Sequence, residues 1–486
     1  MTSSQSSLSY AVRLPTVAKY VGQLLILQAI LTVAPLLVAA FYGEFNIALR
    51  YFIIILVILA LALPAIRLQA QEHIQINEAL AVVALAFILS PLLMWYPMSA
   101  AGLPALDTLF EAISAVTTTG LTTFVNIEDK PRSFLFARSW MQWYGGLGIV
   151  VLSIALLMKH HLAARRLTET TTSENLVTTA RTYARRMLGV YLALTLLGFL
   201  LLFALSTDGF VALTHALSAI STGGFSTYTS SLAGFENPAM PYAVIGLAIL
   251  GAIPLTLYYL LAFGKWRSAI GDIELRTLFI FGFISSALLG FFIYPGTDWR
   301  LADVAGHALL LGFSAQTTAG FSSLDIALLS DPAKAVLMGS MFVGGGVGST
   351  AGGVKLLRLL ILLRLIQLLL QRSAMPNHAV SESRLGGKIL DADEIQRALL
   401  VILLFIGTIL VSWFVFLARG YPALDSLFEV ISATGTVGLS TGITHSDLDP
   451  VLKVVLCADM LLGRLEIVAL LVVLYPPTWF GKRMKS

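Results

Sequence analysis

The stretch LDTLFEAISAVTTTGLTT at residues 106–123 returns almost unchanged as LDSLFEVISATGTVGLST at residues 424–441. Two weaker copies lie between them, VALTHALSAISTGGFST at 211–227 and AGHALLLGFSAQTTAGFSS at 305–323. Aligned on a shared glycine, the four copies place Gly120, Gly224, Gly320 and Gly438 at equivalent positions. A repeat of this kind predicts that one structural unit recurs four times along the chain.

The composition places these units in a membrane. The chain of 486 residues is 57% hydrophobic and 12% charged, whereas a soluble domain has roughly 25% charged residues. No long polar stretch is present that could form a soluble domain, and the single cysteine excludes an internal disulfide. We therefore predict an all-α polytopic membrane protein. No catalytic constellation occurs in the sequence, so we expect neither an enzyme nor a nucleic-acid partner.

Ten apolar segments are long enough to span a bilayer, whose hydrocarbon core takes about 20 apolar residues. They lie near 20–42, 50–66, 79–97, 134–158, 184–206, 240–263, 274–294, 333–370, 396–419 and 451–475. We predict four pseudo-symmetric helix–pore-loop–helix repeats around one central pore, preceded by two extra N-terminal spans. The predicted boundaries are 1–67 for the N-terminal hairpin and 68–160, 161–265, 266–372 and 373–486 for repeats 1 to 4.

The turns between the helices of each repeat carry residue types that suit a monovalent cation. Glycine allows backbone angles that turn carbonyls inward, threonine hydroxyls add uncharged oxygens, and rings of carbonyls can replace an ion's hydration shell. The C-terminal ends of the preceding short helices, each worth roughly half a negative charge, also favour a cation. A single turn of this type is a common connector, but four in register predict a pore. The predicted filter residues are Thr118, Thr119, Gly120, Thr222, Gly223, Gly224, Thr318, Ala319, Gly320, Thr436, Val437 and Gly438.

Two charged residues, Arg464 and Glu466 of the sequence GRLE, interrupt the last apolar segment. A charge at mid-bilayer costs about 2.5–3.5 kcal/mol, so such residues are usually functional. When repeats 1 and 4 are superposed on their filter glycines, GRLE aligns with GGLG at 145–148, and repeat 3 carries GGVG at 345–348. Arg464 thus replaces a glycine, and we predict that it projects into the pore and narrows it. The alternative is that Arg464 pairs with an acid such as Asp459 and only holds helices together. Glu466 points away from Arg464 and is expected to meet a neighbouring helix.

A glycine-rich stretch, GGGVGSTAGGVK at 344–355, interrupts the eighth apolar segment. Each glycine costs a helix about 1 kcal/mol relative to alanine, so we do not expect continuous helix there. A phosphate-binding loop does not fit, because Val354 stands where that motif needs lysine. We predict a flexible loop that crosses the cavity below the filter.

Basic residues are concentrated in the loops on one side of the predicted membrane. The segment 159–186 carries six lysine and arginine residues against two glutamates, and further basic residues occur in 265–276, 372–397 and 482–485. The positive-inside rule places these loops and both termini in the cytoplasm. The opposite loops predict either an acidic outer vestibule that concentrates cations or ordinary solvated loops. Their acidic residues are Glu236, Asp325, Asp331, Asp447 and Asp449.

The four turns, the repeat and GRLE together resemble the Trk/Ktr/HKT superfamily of potassium transporters over about residues 20–480. The two extra N-terminal spans and the basic linkers resemble the bacterial Trk-type membrane subunit. The resemblance implies a potassium-conducting pore in each subunit, a homodimer in the bacterial cytoplasmic (inner) membrane, and a cytosolic nucleotide-binding ring of the RCK type that gates the pore. It also implies potassium as the filter ion, because Gly120 stands where the family associates glycine with potassium preference and serine with sodium permeation.

The resemblance gives roles to the two irregular segments as well. The loop within 344–353 resembles the family's intramembrane gate, and the arginine of GRLE the residue that the family assigns to the permeation path. The implied gate and constriction residues are Gly345, Gly346, Gly348, Ser349, Thr350, Gly352, Gly353 and Arg464. A second class of function stays open, a secondary transporter with broken helices that couples its substrate to sodium or protons. Four repeats of the same topology, instead of two inverted ones, favour the channel-like interpretation.

Overall fold

The computed structural model describes residues 11–69, 74–124, 126–165, 173–262, 264–296, 298–373, 384–386 and 388–480, with backbone alone at 149–165, 173–183, 296 and 388. The first half contains α1 (Leu14–Phe41), α2 (Phe45–Ile66), α3 (Ile76–Met98), α4 (Ala105–Val116), α5 (Arg132–Arg165), α6 (Ser173–Leu205), α7 (Gly209–Ile220), α8 (Ala239–Ala252), α9 (Leu255–Ala262) and α10 (Trp266–Ile270). The second half contains α11 (Ile273–Ile293), α12 (Leu301–Gln316), α13 (Asp331–Val343), α14 (Leu356–Ser373), β1 (Arg384–Leu385), β2 (Lys388–Ile389), α15 (Ala392–Ala418), α16 (Ala423–Thr434), α17 (Pro450–Arg464), α18 (Val468–Leu474) and α19 (Pro477–Phe480). Strands β1 and β2 form a small antiparallel hairpin.

The chain is an all-helical, multi-span membrane protein. Within the described residues, six helices are long and apolar enough to cross a bilayer: α1, α2, α3, α6, α11 and α15. Leucines on their outer faces, such as Leu196 and Leu197 on α6, remain exposed. Because a bilayer is as apolar as these side chains, such exposure is expected of helices that face lipid.

The order of elements repeats four times after the α1–α2 hairpin. A long helix leads to a short helix, and a turn then leads to a further helical segment. The short helices are α4, α7, α12 and α16, and their last turns are completely buried at Ala115, Ile220, Ala315 and Ala433. They end inside the protein, so their terminal carbonyls and the turns that follow are shielded from lipid.

The second helix of the repeat is broken in repeats 2, 3 and 4. We predicted the break in repeat 3, whereas the breaks within the spans predicted at 240–263 and 451–475 were not foreseen. Helices α8 and α9 meet at 88°, because Pro254 forces Ile253 into an extended conformation. Helices α17 and α18 are separated by Glu466 and Ile467, which both have positive φ. The breaks at Ile253 and Glu466 lie 29 and 28 residues after their filter glycines (253 − 224 and 466 − 438).

Small residues let each second helix contact the end of its own short helix. A Cβ at Gly145 would lie 2.0 Å from the Val116 oxygen, and one at Gly463 would lie 1.8 Å from the Thr434 oxygen. The close approach expected of GGLG and GRLE is therefore present at their first glycine. In repeat 2 the equivalent contact is made two positions later, where a Cβ at Gly251 would lie 2.3 Å from the oxygen of the last α7 residue.

Candidate ion filter and gate

The four turns share one backbone conformation. Each short helix ends in a right-handed cap, and the next residue, always a threonine, has φ between +51° and +56°. In repeat 1 the amide of Thr118 donates to Ala115 O and the amide of Thr119 donates to Ser114 O, at 3.0 and 2.9 Å. This is the hydrogen-bond pattern of a Schellman motif, and the other three turns repeat it. The left-handed residues are Thr118, Thr222, Thr318 and Thr436.

These threonines were predicted as filter residues for their hydroxyls, but their left-handed conformation was not foreseen from the sequence. A β-branched residue with positive φ is an outlier, and such a residue costs of order 1–3 kcal/mol unless its surroundings hold it in place. Four copies of the same outlier at one place in the fold indicate a functional constraint, because glycine would make the same turn without this cost.

The filter glycines close the four turns into a ring. Each has φ between +71° and +98°, and each lies against a carbonyl oxygen of the next turn, so that an added Cβ would come within 1.8–2.3 Å of it. The contacts run from Gly120 to Gly223 O, from Gly224 to Ala319 O, from Gly320 to Val437 O and from Gly438 to Thr119 O. The chain order 1–2–3–4 is thus also the order around the ring, and the last contact joins repeat 4 to repeat 1.

A cavity of about 600 Å³ opens on one side of the ring, and all four filter glycines line it. Its wall also includes Glu128, Arg138 and Asp325. Asp325 in this wall is one of the five acids that we considered for an outer vestibule. Glu128 is an acid of the wall that does not belong to those five. The carboxylate of Glu128 accepts hydrogen bonds from the amide and hydroxyl of Thr229. Burial opposes ionisation of Glu128, but these bonds outweigh it and lower the pKa below its ordinary value.

The glycine-rich loop contacts the opposite end of the turns, where the left-handed threonines lie. The amide of Gly352 donates to the Thr318 hydroxyl at 2.7 Å, and a Cβ at Gly352 would lie 2.1 Å from the Thr436 hydroxyl. The Thr350 hydroxyl lies 3.3 Å from the Thr222 hydroxyl and bonds Gly251 O at 2.9 Å. Residues 344–355 therefore lie between repeats 2, 3 and 4, directly against the ring.

The loop is anchored along its length. The amide of Gly346 donates to Ala252 O, and the amide of Gly353 donates to Gly435 O. At the loop's tip, Val347 N donates to the Glu274 carboxylate at 2.6 Å. No helix forms between Val343 and Leu356, as the glycine content predicted. Each anchor is a hydrogen bond to a different element, so the loop holds its place without a regular structure of its own.

Arg464 joins this loop to repeat 1. Its guanidinium donates to Thr350 O at 2.9 Å and to Gly145 O at 3.2 Å, and only 2% of the residue is exposed. Among the described residues, no carboxylate pairs with it, and Asp459, the acid suggested as its partner, instead accepts a hydrogen bond from Ser412. The helix-clamp alternative based on an acid partner is therefore wrong. Arg464 lies beside the ring as a buried positive charge bonded to two carbonyls.

Glu466 turns away from Arg464 and pairs with Arg358 of α14. The predicted contact with a neighbouring helix is confirmed. Together with Lys355, whose ammonium donates to Ala351 O, these residues form a cluster of charges at the end of the loop. The loop thus passes from the uncharged ring at Gly352 to a charged surface at Arg358 within six residues (358 − 352).

Two polar residues of α5, Arg138 and Gln142, bond this helix to its neighbours. Gln142 donates to Gly223 O of the filter and accepts from Ser218 Oγ, so it bonds α5 to repeat 2. Arg138 pairs with Glu111 at 3.0 Å, and both side chains are buried. Arg138 also lines the cavity.

Buried acids of the short helices, which we did not predict, hold the segments after the filter glycines in repeats 1 and 4. Glu111 accepts from the Thr122 hydroxyl at 2.6 Å and from the Thr123 amide at 3.0 Å. Glu429 accepts from the Ser440 hydroxyl at 2.6 Å and from the Thr441 amide at 2.7 Å. Both glutamates lie nine residues before their filter glycine (120 − 111 and 438 − 429), a spacing that could have revealed them.

Histidines hold the post-filter segment in the other two repeats. His215 also lies nine residues before its filter glycine (224 − 215), and its Nε2 is 3.0 Å from the Ser226 hydroxyl. Repeat 3 has Leu311 at this position, and His307, one helical turn earlier, reaches the Ser323 hydroxyl at 3.1 Å. A polar side chain from each short helix thus holds the segment that follows its turn.

The basic segment 159–186 lies mostly outside the residues whose side chains are described, as do Lys482, Arg483 and Lys485. The predicted orientation of the termini therefore stays a prediction.

Comparison with known proteins agrees with this geometry. The family described as TrkH, cation transport protein, matches residues 43–476. The chain is 28% identical to the Trk system potassium uptake protein TrkG of Escherichia coli, covering 92% of this chain and 94% of that protein. It is 30% identical to the Trk system potassium uptake protein TrkH of Vibrio parahaemolyticus, covering 77% and 79%.

The fold is also that of a solved relative. The crystal structure of the potassium transporter TrkH from Vibrio parahaemolyticus matches with a TM-score of 0.85 at 26% identity, covering 96% of this chain and 100% of that one. The match to the family spans most of the chain, and its members transport ions and are not enzymes. The chain therefore belongs to the TrkH family of cation transport proteins.

Proposed function

We propose that the chain takes up potassium across the bacterial cytoplasmic membrane through a channel-like pore. The observation that carries this proposal is the closed ring of four turns, in which each filter glycine touches the next turn. In our proposal the four repeats surround one central pore, the α1–α2 hairpin lies outside it, and the ring is its filter. In this arrangement repeats 1 to 4 have the boundaries predicted above, 68–160, 161–265, 266–372 and 373–486.

The chemistry of the turns suits a dehydrated cation. The twelve filter residues named above bring backbone carbonyls and threonine hydroxyls to the ring, and none of them is charged. The hydroxyls of Thr118 and Thr436 are buried and accept or donate no hydrogen bond among the described residues. A buried hydroxyl without a partner costs about 1–3 kcal/mol, a cost that a bound cation would remove. Four short helices direct their negative C-terminal ends to the same place.

The loop and Arg464 form the gate in this proposal. The loop is bonded to repeats 2, 3 and 4, and Arg464 connects it to repeat 1 through Gly145 O. Gly345, Gly346, Gly348, Ser349, Thr350, Gly352 and Gly353 would move together with Arg464 when the pore opens. Gly348 has φ of +78° and nothing within 4 Å of an added Cβ, so the tip has room to move.

The proposed assembly is a homodimer that binds a cytosolic, nucleotide-binding ring of the RCK type. Support comes from the relatives, which are named as components of a Trk system, and from the charged cluster at Arg358 and Glu466 next to the loop. Both termini and the basic loops would face the RCK-type ring of the partner in the cytoplasm.

The alternative function is an ion-coupled transporter that uses sodium or protons. The two can be separated with pure protein in liposomes, by measuring uptake of potassium, rubidium, sodium and lithium with and without a pH gradient. We expect uptake of potassium and rubidium to exceed that of sodium and lithium and to follow the potassium gradient alone. Uptake that needs a proton or sodium gradient would favour the alternative, and no selectivity among the four ions would contradict the filter.

A further inference from the structure

Glu429 differs from every other residue that holds a post-filter segment, because it is a carboxylate without a basic partner among the described residues. It is completely buried. Its oxygens accept from Ser440 Oγ at 2.6 Å, Thr441 N at 2.7 Å, Thr441 Oγ1 at 3.1 Å and Thr444 Oγ1 at 2.7 Å. Hydrogen bonds to a carboxylate favour its charged form, and the backbone amide of Thr441 can only donate.

The equivalent position in repeat 1 is electrically compensated. Glu111 pairs with the Arg138 guanidinium at 3.0 Å, and their side chains are 0% and 1% exposed. Repeat 2 has a histidine bonded to a backbone carbonyl and a hydroxyl, His215, and repeat 3 has Leu311. When ionised, Glu429 therefore supplies one net negative charge among these four equivalent positions.

This charge lies one side chain away from the cavity above the ring. Ser440, which bonds Glu429, lines the cavity together with Gly438 and Leu439. The other hydrogen-bonded partners of Glu429 are held in the same post-filter segment. Because the surroundings are buried, a unit charge acts on a cation in the ring with less screening than it would in water.

We propose that Glu429 is ionised and sets the affinity of the ring for monovalent cations by its negative charge. It does not touch the ion but acts through the field that it creates behind the fourth turn. The charge attracts every monovalent cation equally, whereas the ring geometry distinguishes among them. The proposal rests on the proposed function, since it requires that cations occupy the ring.

The test uses the full chain in liposomes and measures rubidium, potassium and sodium uptake against ion concentration at pH 8. Glu429→Gln and Glu429→His both remove the charge while keeping polar atoms near Ser440, and histidine is the residue that repeat 2 uses. We expect both variants to raise the half-saturating concentration by roughly three- to tenfold at an effective dielectric of about 20. The factor should be the same for the three ions, and the maximal rate should change less.

Two further variants complete the design. Asp303→Asn removes an exposed acid that does not line the cavity and should leave the half-saturating concentration as in the wild type. Arg138→Gln leaves the charge of Glu111 uncompensated, so it should lower that concentration. The Arg138 variant keeps the proposal testable if neither Glu429 variant inserts into the membrane.

Two outcomes would overturn the proposal. One is an unchanged half-saturating concentration in the Glu429 variants. The other is a change in the potassium-to-sodium ratio, since a displaced carbonyl alters selectivity and a lost charge does not. Failure of the proposed function would look different, because the wild type itself would then take up no potassium.

Discussion

At the scale of single residues, the ring depends on four threonines and four glycines whose backbone angles are left-handed. The glycines are required by contact, because each leaves no space for a Cβ against the next turn. The threonines are required by something other than backbone geometry, because glycine would make the same turn at lower cost. Their hydroxyls form hydrogen bonds with the loop in repeats 2 and 3, whereas those of repeats 1 and 4 have no hydrogen-bond partner among the described residues.

Replacing a filter glycine should open the ring and stop selective uptake. A Cβ at Gly320 would lie 1.8 Å from Val437 O, so Gly320→Ala must push two turns apart. We expect potassium uptake to fall at least about tenfold, since overpacking of a close contact costs about 1–3 kcal/mol. Gly339→Ala is the matched control, because Gly339 lies in α13 with nothing within 4 Å of an added Cβ. Equal uptake by the two variants would contradict the contact argument.

Arg464 gives a second prediction at this scale. Arg464→Ala removes a buried positive charge and the bonds to Thr350 O and Gly145 O. Uptake by the pure protein in liposomes should rise by roughly three- to tenfold, as expected for removal of a like charge near the path at an effective dielectric of about 20. Arg464→Lys retains the charge and should stay near the wild type. Unchanged flux and ion preference in the alanine variant, at normal protein levels, would exclude a role in the pore.

Much of the residue scale could be predicted and part of it could not. The equivalent filter glycines and the alignment of GRLE with GGLG could be predicted from the sequence repeat, because equivalent positions lie at the same distance from the filter glycine in each copy. The positive φ of the threonines was not predicted, because β-branched residues disfavour it. Glu111 and Glu429 were missed, although both lie nine residues before a filter glycine. Ring closure from Gly438 to Thr119 is a contact between the two ends of the repeat array and has no local signal.

At the scale of elements, the second helix of each repeat is the variable part. Hydropathy and segment length predicted a membrane span at this helix in every repeat, but neither property shows whether the helix is bent. Pro254 was a usable signal for the break after α8. No proline or glycine pair marks the break at Glu466 and Ile467, where the backbone turns left-handed in two successive residues. The breaks in repeats 2 and 4 lie 29 and 28 residues after their filter glycines, and the loop of repeat 3 covers the same part of its repeat.

The loop gives the prediction at this scale. Thr350→Val keeps the shape of the side chain but removes its hydrogen bonds to Ile220 O and Gly251 O. Because one hydroxyl donates a single hydrogen that these two carbonyls share, the loss is about 0.5–1.5 kcal/mol, so the loop should leave its place more often and basal uptake without a regulator should rise. Thr408→Val is the matched control, because that hydroxyl bonds only its own helix at Leu404 O.

Deleting Gly345–Gly348 should have a larger effect of the same kind, since it removes the segment anchored at Ala252 O and at the Glu274 carboxylate. Liposome uptake in the absence of any partner measures both changes. Uptake that stays fully dependent on a regulator after the deletion would mean that the loop is a passive kink.

At the scale of the whole molecule, ion pairs hold successive repeats together near the outer ends of the short helices. Lys453 of repeat 4 pairs with Asp107 of repeat 1, and both side chains are almost fully buried. Lys334 of repeat 3 pairs with Asp425 of repeat 4 at 2.8 Å. Asp107 and Asp425 are equivalent residues of the repeat (425 − 107 equals 438 − 120). These two ion pairs join repeat 4 to its neighbours on both sides, repeat 1 and repeat 3.

Asp107→Asn should destabilise the fold because it leaves the Lys453 ammonium buried without its counter-charge. Breaking a buried pair in this way costs about 3–5 kcal/mol, which should appear as a lower unfolding temperature in detergent. Asp303→Asn breaks the exposed pair with Arg300 and should leave that temperature unchanged. Equal unfolding temperatures for the two variants would show that the pair between repeats 4 and 1 contributes no stability.

The central claim is that the closed ring of four turns binds a dehydrated alkali cation. The most direct measurement is anomalous diffraction from crystals grown in rubidium, since rubidium follows potassium and can be located by its own scattering. We predict a peak on the axis of the ring, within coordination distance of oxygens from all four turns. An empty ring in fully loaded crystals, or a rubidium peak that only one or two turns contact, would contradict the claim.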